Sequence, residues 1–283
     1  MARAEITIAM VKGLIIRIAS KRSVPSISGS FRSIIASSTG RCRTSSRASV
    51  PVPARLGKGD DAAANLYWGA RFGVKTFFKK DRRWALVHLE QSRSAQILER
   101  CVFMHEAADV FLVADAYRGD RIADAISDFL SAAAGTLSDS ARIVVGSRRV
   151  VLNTHGAAGL LAYVGHDGLM DFSLSAYPAG DAAAPRDVFV FACLSRQYFA
   201  SPLRRCRANP ILLTTGLMAP EAYVLASAVE GWIAGKSYDE IREMTASTYN
   251  AYQKCGLKAA RRLFSTDMAL RKENAGQRRT DAR

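Results

Sequence analysis

Two side chains in this chain have the types and setting for nucleophilic chemistry. Cys193 ends the apolar run Asp187-Val-Phe-Val-Phe-Ala-Cys193, and His166 ends the run Gly159-Leu-Leu-Ala-Tyr-Val-Gly-His166. Cysteine attacks as the thiolate, and a neighbouring imidazole that takes its proton turns a weak nucleophile into a strong one. The packing alternative stands beside this reading. Cysteine is among the most buried residue types, and a lone histidine at the end of a strand is commonly held by local hydrogen bonds.

The two residues meet only if the elements carrying them are neighbours. Both runs are short, apolar on both faces and rich in branched or aromatic residues, which predicts strands of a parallel sheet buried on either side. Adjacent parallel strands would bring His166 and Cys193 together at the carboxyl edge, where open α/β sheets bind their ligands. The connection between the two runs is close to the minimum for a parallel crossover. His155-Gly156 offers a second histidine, but no clear strand leads into it.

Further strands are expected at Trp84–Leu89, Asp109–Ala114, Ala141–Gly146 and Ile211–Thr215, and a short helical turn at Ser92–Glu99. Ile122, Ile126, Phe129 and Leu130 recur at helical spacing, and Gly135 ends that helix. Helices are also expected over Gln197–Arg207, Pro220–Ile233 and Leu257–Leu270. Ser237 and Glu240 form a capping-box pattern at the start of another helix. The fold class is therefore α/β. The aromatic stretch 67–78 reads as a packed edge element with a solvated basic end, in preference to a stacking platform for single-stranded nucleic acid.

Charge divides the chain. Of the net +15, residues 1–60 carry +9 and residues 271–283 carry +3, which leaves +3 for residues 61–270. The expected organisation is a disordered basic leader (1–60), one α/β domain (61–270) and a disordered basic tail (271–283). The leader fits a transit-like segment, a solvated basic arm or an over-extended start to the reading frame. Its Ser and Arg content predicts that it is dispensable for folding. No apolar run reaches the ~18–20 residues of a membrane helix, and a soluble protein is expected.

The five cysteines are scattered, without CxxC spacing, and the four histidines lack HExxH spacing. Neither a disulfide framework nor a structural metal is expected, and no cofactor. The turn after Ala114 has no Gly-rich phosphate motif, which argues against the common nucleotide folds.

The stretches Ala162-Tyr-Val-Gly-His166-Asp-Gly168 and Phe189-Val-Phe-Ala192-Cys193 resemble the caspase-like cysteine peptidases, the group of caspases, legumains and gingipains. The order, His before Cys, agrees, as does an upstream strand–helix unit. The likeness spans residues 105–255. It departs from the group's pattern where Asp167 separates His166 from Gly168.

The resemblance implies a three-layer sandwich with a mostly parallel sheet flanked by helices. It also implies a thiol protease, a hydrolase acting on a peptide or protein substrate. Cys193 would be the nucleophile and His166 the general base and acid. The backbone N–H groups of Gly168 and Cys193 would hold the oxyanion. Asp167 or Asp115 would orient the imidazole, unless Asp167 is simply a turn residue. Thr214, Thr215 and Gly216 would line the substrate cleft. Tyr117 and Arg118 lie beyond the first strand, where Arg118 reads as a solvated arginine or a carboxylate reader. The rival readings are a non-catalytic caspase-like module that binds protein and, less favoured, a nucleic-acid-associated protein.

Overall fold

A computed structural model of the chain describes residues 4–10, 14–18, 58–180 and 185–266. In chain order the strands are β1 (Ala4–Met10), β2 (Leu14–Ile18), β3 (Trp84–Gln91), β4 (Ile97–His105), β5 (Val110–Tyr117), β6 (Ser138–Val145), β7 (Arg148–His155), β8 (Leu160–Val164), β9 (Asp187–Phe191), β10 (Asn209–Thr214) and β11 (Phe264–Ser265). The helices are α1 (Val74–Lys80), α2 (Ile122–Ala134), α3 (Ser195–Arg205), α4 (Ala222–Ile233), α5 (Tyr238–Gln253) and α6 (Leu257–Leu263).

The architecture is mixed α/β. One large sheet runs β11-β10-β9-β8-β2-β1-β5-β4-β3, and β6 and β7 form a separate hairpin. Parallel pairs join β1 to β5, β8 to β9 and β9 to β10, while β3, β4 and β5 form an antiparallel meander. Strands of period two send alternate residues to opposite faces, and β8 and β9 show how that serves the core. Leu160, Ala162, Val164, Phe189 and Phe191 join the cluster that holds residues of α4 and α5. Leu161, Tyr163, Val188 and Val190 join the cluster of α2 and α3 on the other face. Leu160–Val164 and Val188–Phe191 are apolar throughout because both their faces are covered.

The expected strands at 84, 109, 211 and those ending at 166 and 193 are present, and α2 ends on Gly135 at φ 82°. The capping box at α5 also forms, with both Ser237–Glu240 hydrogen bonds. Ser92–Glu99 is not helical: the chain turns and β4 begins at Ile97. Glu99 and Arg100 interrupt the apolar pattern there, yet both are buried, because partners distant in sequence neutralise them. Glu99 accepts from the indole N–H of Trp68 at 2.5 Å and pairs with Lys75 at 2.7 Å. Arg100 forks onto Asp115. Ala141–Gly146 also departs from expectation, since that segment belongs to the β6–β7 hairpin and not to the main sheet. The last helix stops at Leu263, and Phe264–Ser265 pair with the edge of β10.

β1 and β2 come from within the expected leader and lie between β5 and β8. Both pair with the same edge of β8, β1 parallel and β2 antiparallel. Their runs are rich in isoleucine, which favours extended chain. Residues 19–57, including Cys42, and residues 267–283, which contain the expected tail, lie outside the described residues. No helix among the described residues is long and apolar enough to cross a membrane.

Candidate active site

β8 and β9 are parallel neighbours with Val164 opposite Phe191. The register continues one step past the strands, where the Gly165 N–H donates to the Phe191 carbonyl at 3.0 Å. In sequence His166 and Cys193 each stand two residues beyond that registered pair, past the carboxyl ends of their strands, and their side chains bond to different partners, Asp171 and Met218. The link from β8 to β9 contains a single 3-10 turn, Gly168–Met170, as its only helical element among the described residues.

Cys193 sits in a tight strand-to-helix turn. Leu194, directly after it, has φ 52° and ψ 27°, a left-handed conformation that costs a non-glycine residue about 1 kcal/mol. A hydroxyl lattice holds the turn from below. Ser195 Oγ donates to the Val190 carbonyl at 2.8 Å and accepts from the Thr214 N–H at 2.8 Å. Thr214 Oγ1 donates to the Ala192 carbonyl and accepts from the Ser195 N–H at 3.2 Å. From the side, the Leu194 N–H donates to the Gly216 carbonyl at 3.0 Å. The Cys193 sulfur accepts from the Met218 N–H at 3.4 Å and lies 3.6 Å from the Met218 carbonyl, to which the thiol donates.

The imidazole of His166 is over one-third exposed, and its Nε2 lies 2.6 Å from Asp171 Oδ2. Asp171, and neither Asp167 nor Asp115, is the carboxylate on this ring. Asp115 is spent on Arg100 inside the sheet. Asp167 caps the turn that follows, with Oδ1 accepting from the Leu169 N–H at 3.0 Å, while its buried Oδ2 has no hydrogen-bond partner. Tyr163, beneath them on β8, donates its hydroxyl to the His166 carbonyl at 2.6 Å and so fixes the start of the loop. Gly168 is buried, and a methyl group added there would fall within 3.0 Å of Phe172 and Ile122. That close fit explains a glycine at this position.

Burial shapes the electrostatics. It pushes the Cys193 thiol up, the Met218 N–H draws it back and Asp167 raises it further. Asp167 is pushed up to about 7, first by burial and then by the charge of Asp171, against the N–H groups of Leu169 and Met170 that lower it. Tyr67 is pushed up to about 12 by burial, Cys193 and Glu221, so it stays a protonated phenol.

The structure gives the other expected site residues different surroundings. Thr214 is completely buried and supports the Cys193 turn from below. The Thr215 hydroxyl donates to the Arg262 carbonyl at 2.6 Å, and Gly216 reaches the site through its carbonyl on Leu194. His155, at φ 60°, ends β7 in the separate hairpin, with Nδ1 3.0 Å from Thr154 Oγ1 and 3.9 Å from Asp139. Tyr117 donates to Asp128, and Arg118 pairs with Asp120 at the surface. Of the aromatic stretch, Trp68 and Phe78 are wholly buried, as a packed element requires, and Tyr67 is half-buried against the same cluster.

Sequence reasoning missed Asp171, Ser195 and Met218. Ser195, two residues after Cys193 at a helix start, carried a local signal. Asp171 is brought back to His166 by the local 3-10 turn Gly168–Met170, and only Met218 comes to the site through tertiary packing. Among the described residues no cluster of three His, Cys, Asp or Glu side chains is arranged to hold a metal ion. No protein-family model, curated protein or solved structure matches the chain.

Proposed function

We propose that this protein is a cysteine hydrolase of caspase-like arrangement, a peptidase working through Cys193 and His166. The three-layer, caspase-like description of its sheet and helices is part of the same proposal. The observation that carries it is that the strands leading to the two residues are adjacent and parallel, with each residue two positions past the registered pair Val164 and Phe191. The tight turn with left-handed Leu194 supports it, since strain of this kind collects at functional sites.

In the proposed reaction the Cys193 thiol passes its proton to His166 as sulfur attacks the peptide carbonyl. The imidazolium gives that proton to the departing amine, and water then releases the acid from the thioester. Asp171 holds the ring by its Nε2 side and offsets the imidazolium charge. The N–H groups of Gly168 and Cys193 take the oxyanion role, worth about 2.7–4 kcal/mol per donor.

The second reading, a non-catalytic module that binds protein, draws on the resting sulfur, whose thiol is raised by burial and held by the Met218 backbone. A small electrophilic probe with mass spectrometry separates the two. The hydrolase reading expects Cys193 to be labelled faster than Cys101, Cys206 and Cys255, and His166→Ala to slow that labelling by about 10-fold or more. Labelling of half-buried Cys255 with Cys193 left untouched would sink it.

A further inference from the structure

Asp167 occupies a position that the proposed chemistry does not use. It lies between His166 and Gly168, is completely excluded from solvent and satisfies only one of its two oxygens. A turn-capping role needs Oδ1 alone. The second oxygen, buried without a partner, is costly as a carboxylate and tolerable as a neutral acid. Its surroundings give a charge little relief. Asp171 in its own turn opposes a charge on it, His166 precedes it in the chain, and a charge on Asp167 would itself bear on Tyr163 from β8 and Cys193 from the β9–α3 turn. Of the helices packed on this turn, α2 brings the apolar Ile122 closest to Gly168, and its Asp124 pairs with Arg121. On α3, Arg196 is exposed at the surface.

We propose that Asp167 is a positioning residue acting through Cys193: its buried carboxyl carries a proton while the thiol gives one up, so that it adds no buried charge opposing the thiolate. The inference rests on the hydrolase reading of Cys193 and His166. In the resting site Asp167 is the neutral acid. When His166 takes the thiol proton, the thiolate forms next to an uncharged neighbour. If Asp167 ionises first, its buried negative charge opposes that of the sulfur, and the thiolate is disfavoured. Its tendency to hold a proton up to about pH 7 agrees with this order of events.

The test is the pH profile of Cys193 alkylation by iodoacetamide in the full chain, followed by mass spectrometry from pH 5 to 9. Asp167→Asn keeps the acceptor for Leu169 and removes the charge. The expected result is a lower midpoint in the variant and about 5–10-fold faster labelling of Cys193 near pH 8, with Cys255 unchanged as the internal reference. Asp167→Ser, which also caps the turn, should behave alike and serves if the Asn variant does not fold. Profiles with the wild-type midpoint, including ones displaced equally at every pH as a structural defect would give, overturn the proposal while leaving the hydrolase reading in place. An inert Cys193 in both proteins overturns both.

Discussion

At the residue scale, the site depends on which carboxylate meets which partner. Asp171 binds the imidazole from an exposed position, so its worth to stability is within about 1 kcal/mol. Under the proposed hydrolase chemistry its worth to turnover is larger. Asp171→Ala should lower peptidase turnover by about 10-fold with little change in melting temperature, measured side by side. Asp167 acts on stability in the opposite sense to a salt-bridged acid. Its folded-state value of about 7 lies above the ordinary 3.8, so the folded chain keeps a proton that the unfolded chain releases. Its effect is therefore a loss of stability as pH rises from the ordinary carboxylate range to about 7, level beyond that. Asp167→Asn should remove the loss and gain on the order of 2–4 kcal/mol over wild type at pH 8. The gain should vanish toward pH 4, a difference read from paired urea melts. A pH-independent difference would show that the carboxyl is not the cause.

At the scale of elements, the turn from β9 into α3 is held by a lattice that a single methyl exchange would break. Thr214→Val removes a hydroxyl that donates to Ala192 and accepts from Ser195, leaving both groups buried without it. The expected cost is about 1–3 kcal/mol in a urea melt, with slower labelling of Cys193 as its turn loosens. The capping box of α5 is the contrasting case, because it is local and exposed. Ser237→Ala should cost about 1 kcal/mol and leave Cys193 labelling unchanged. The two elements also differ in legibility. Ser237 and Glu240 lie three residues apart and declare themselves in sequence. Thr214 is nineteen residues from Ser195, and nothing local marks its hydroxyl as structural.

At the scale of the whole molecule, the sheet is continuous only through β1 and β2. β5 is buried along its entire length and β8 likewise, and the strands between them come from the first eighteen residues. Unpaired backbone groups in such a buried setting are expensive. A chain starting at Asp61 should therefore melt at a lower temperature and less cooperatively than the full protein, as read by circular dichroism. An unchanged cooperative transition would instead show that β5 and β8 hold together without β1 and β2, as the composition of the leader suggests.

What the sequence determined by itself were features written in short range. The runs into His166 and Cys193 are apolar on both faces, and such runs become inner strands whatever surrounds them. Their matched ends followed once the strands lay parallel in register. The tertiary structure alone decided where charges and hydroxyls go. It buried Glu99 and Arg100 inside β4 because Trp68, Lys75 and Asp115 come to meet them. It brought Met218 to the sulfur of Cys193, moved Ala141–Val145 into a hairpin of its own and turned Thr214 inward. A hydrophobic pattern repeats along the chain and can be read there. A buried polar group is tolerated only by its partner, and that partner is supplied by the fold.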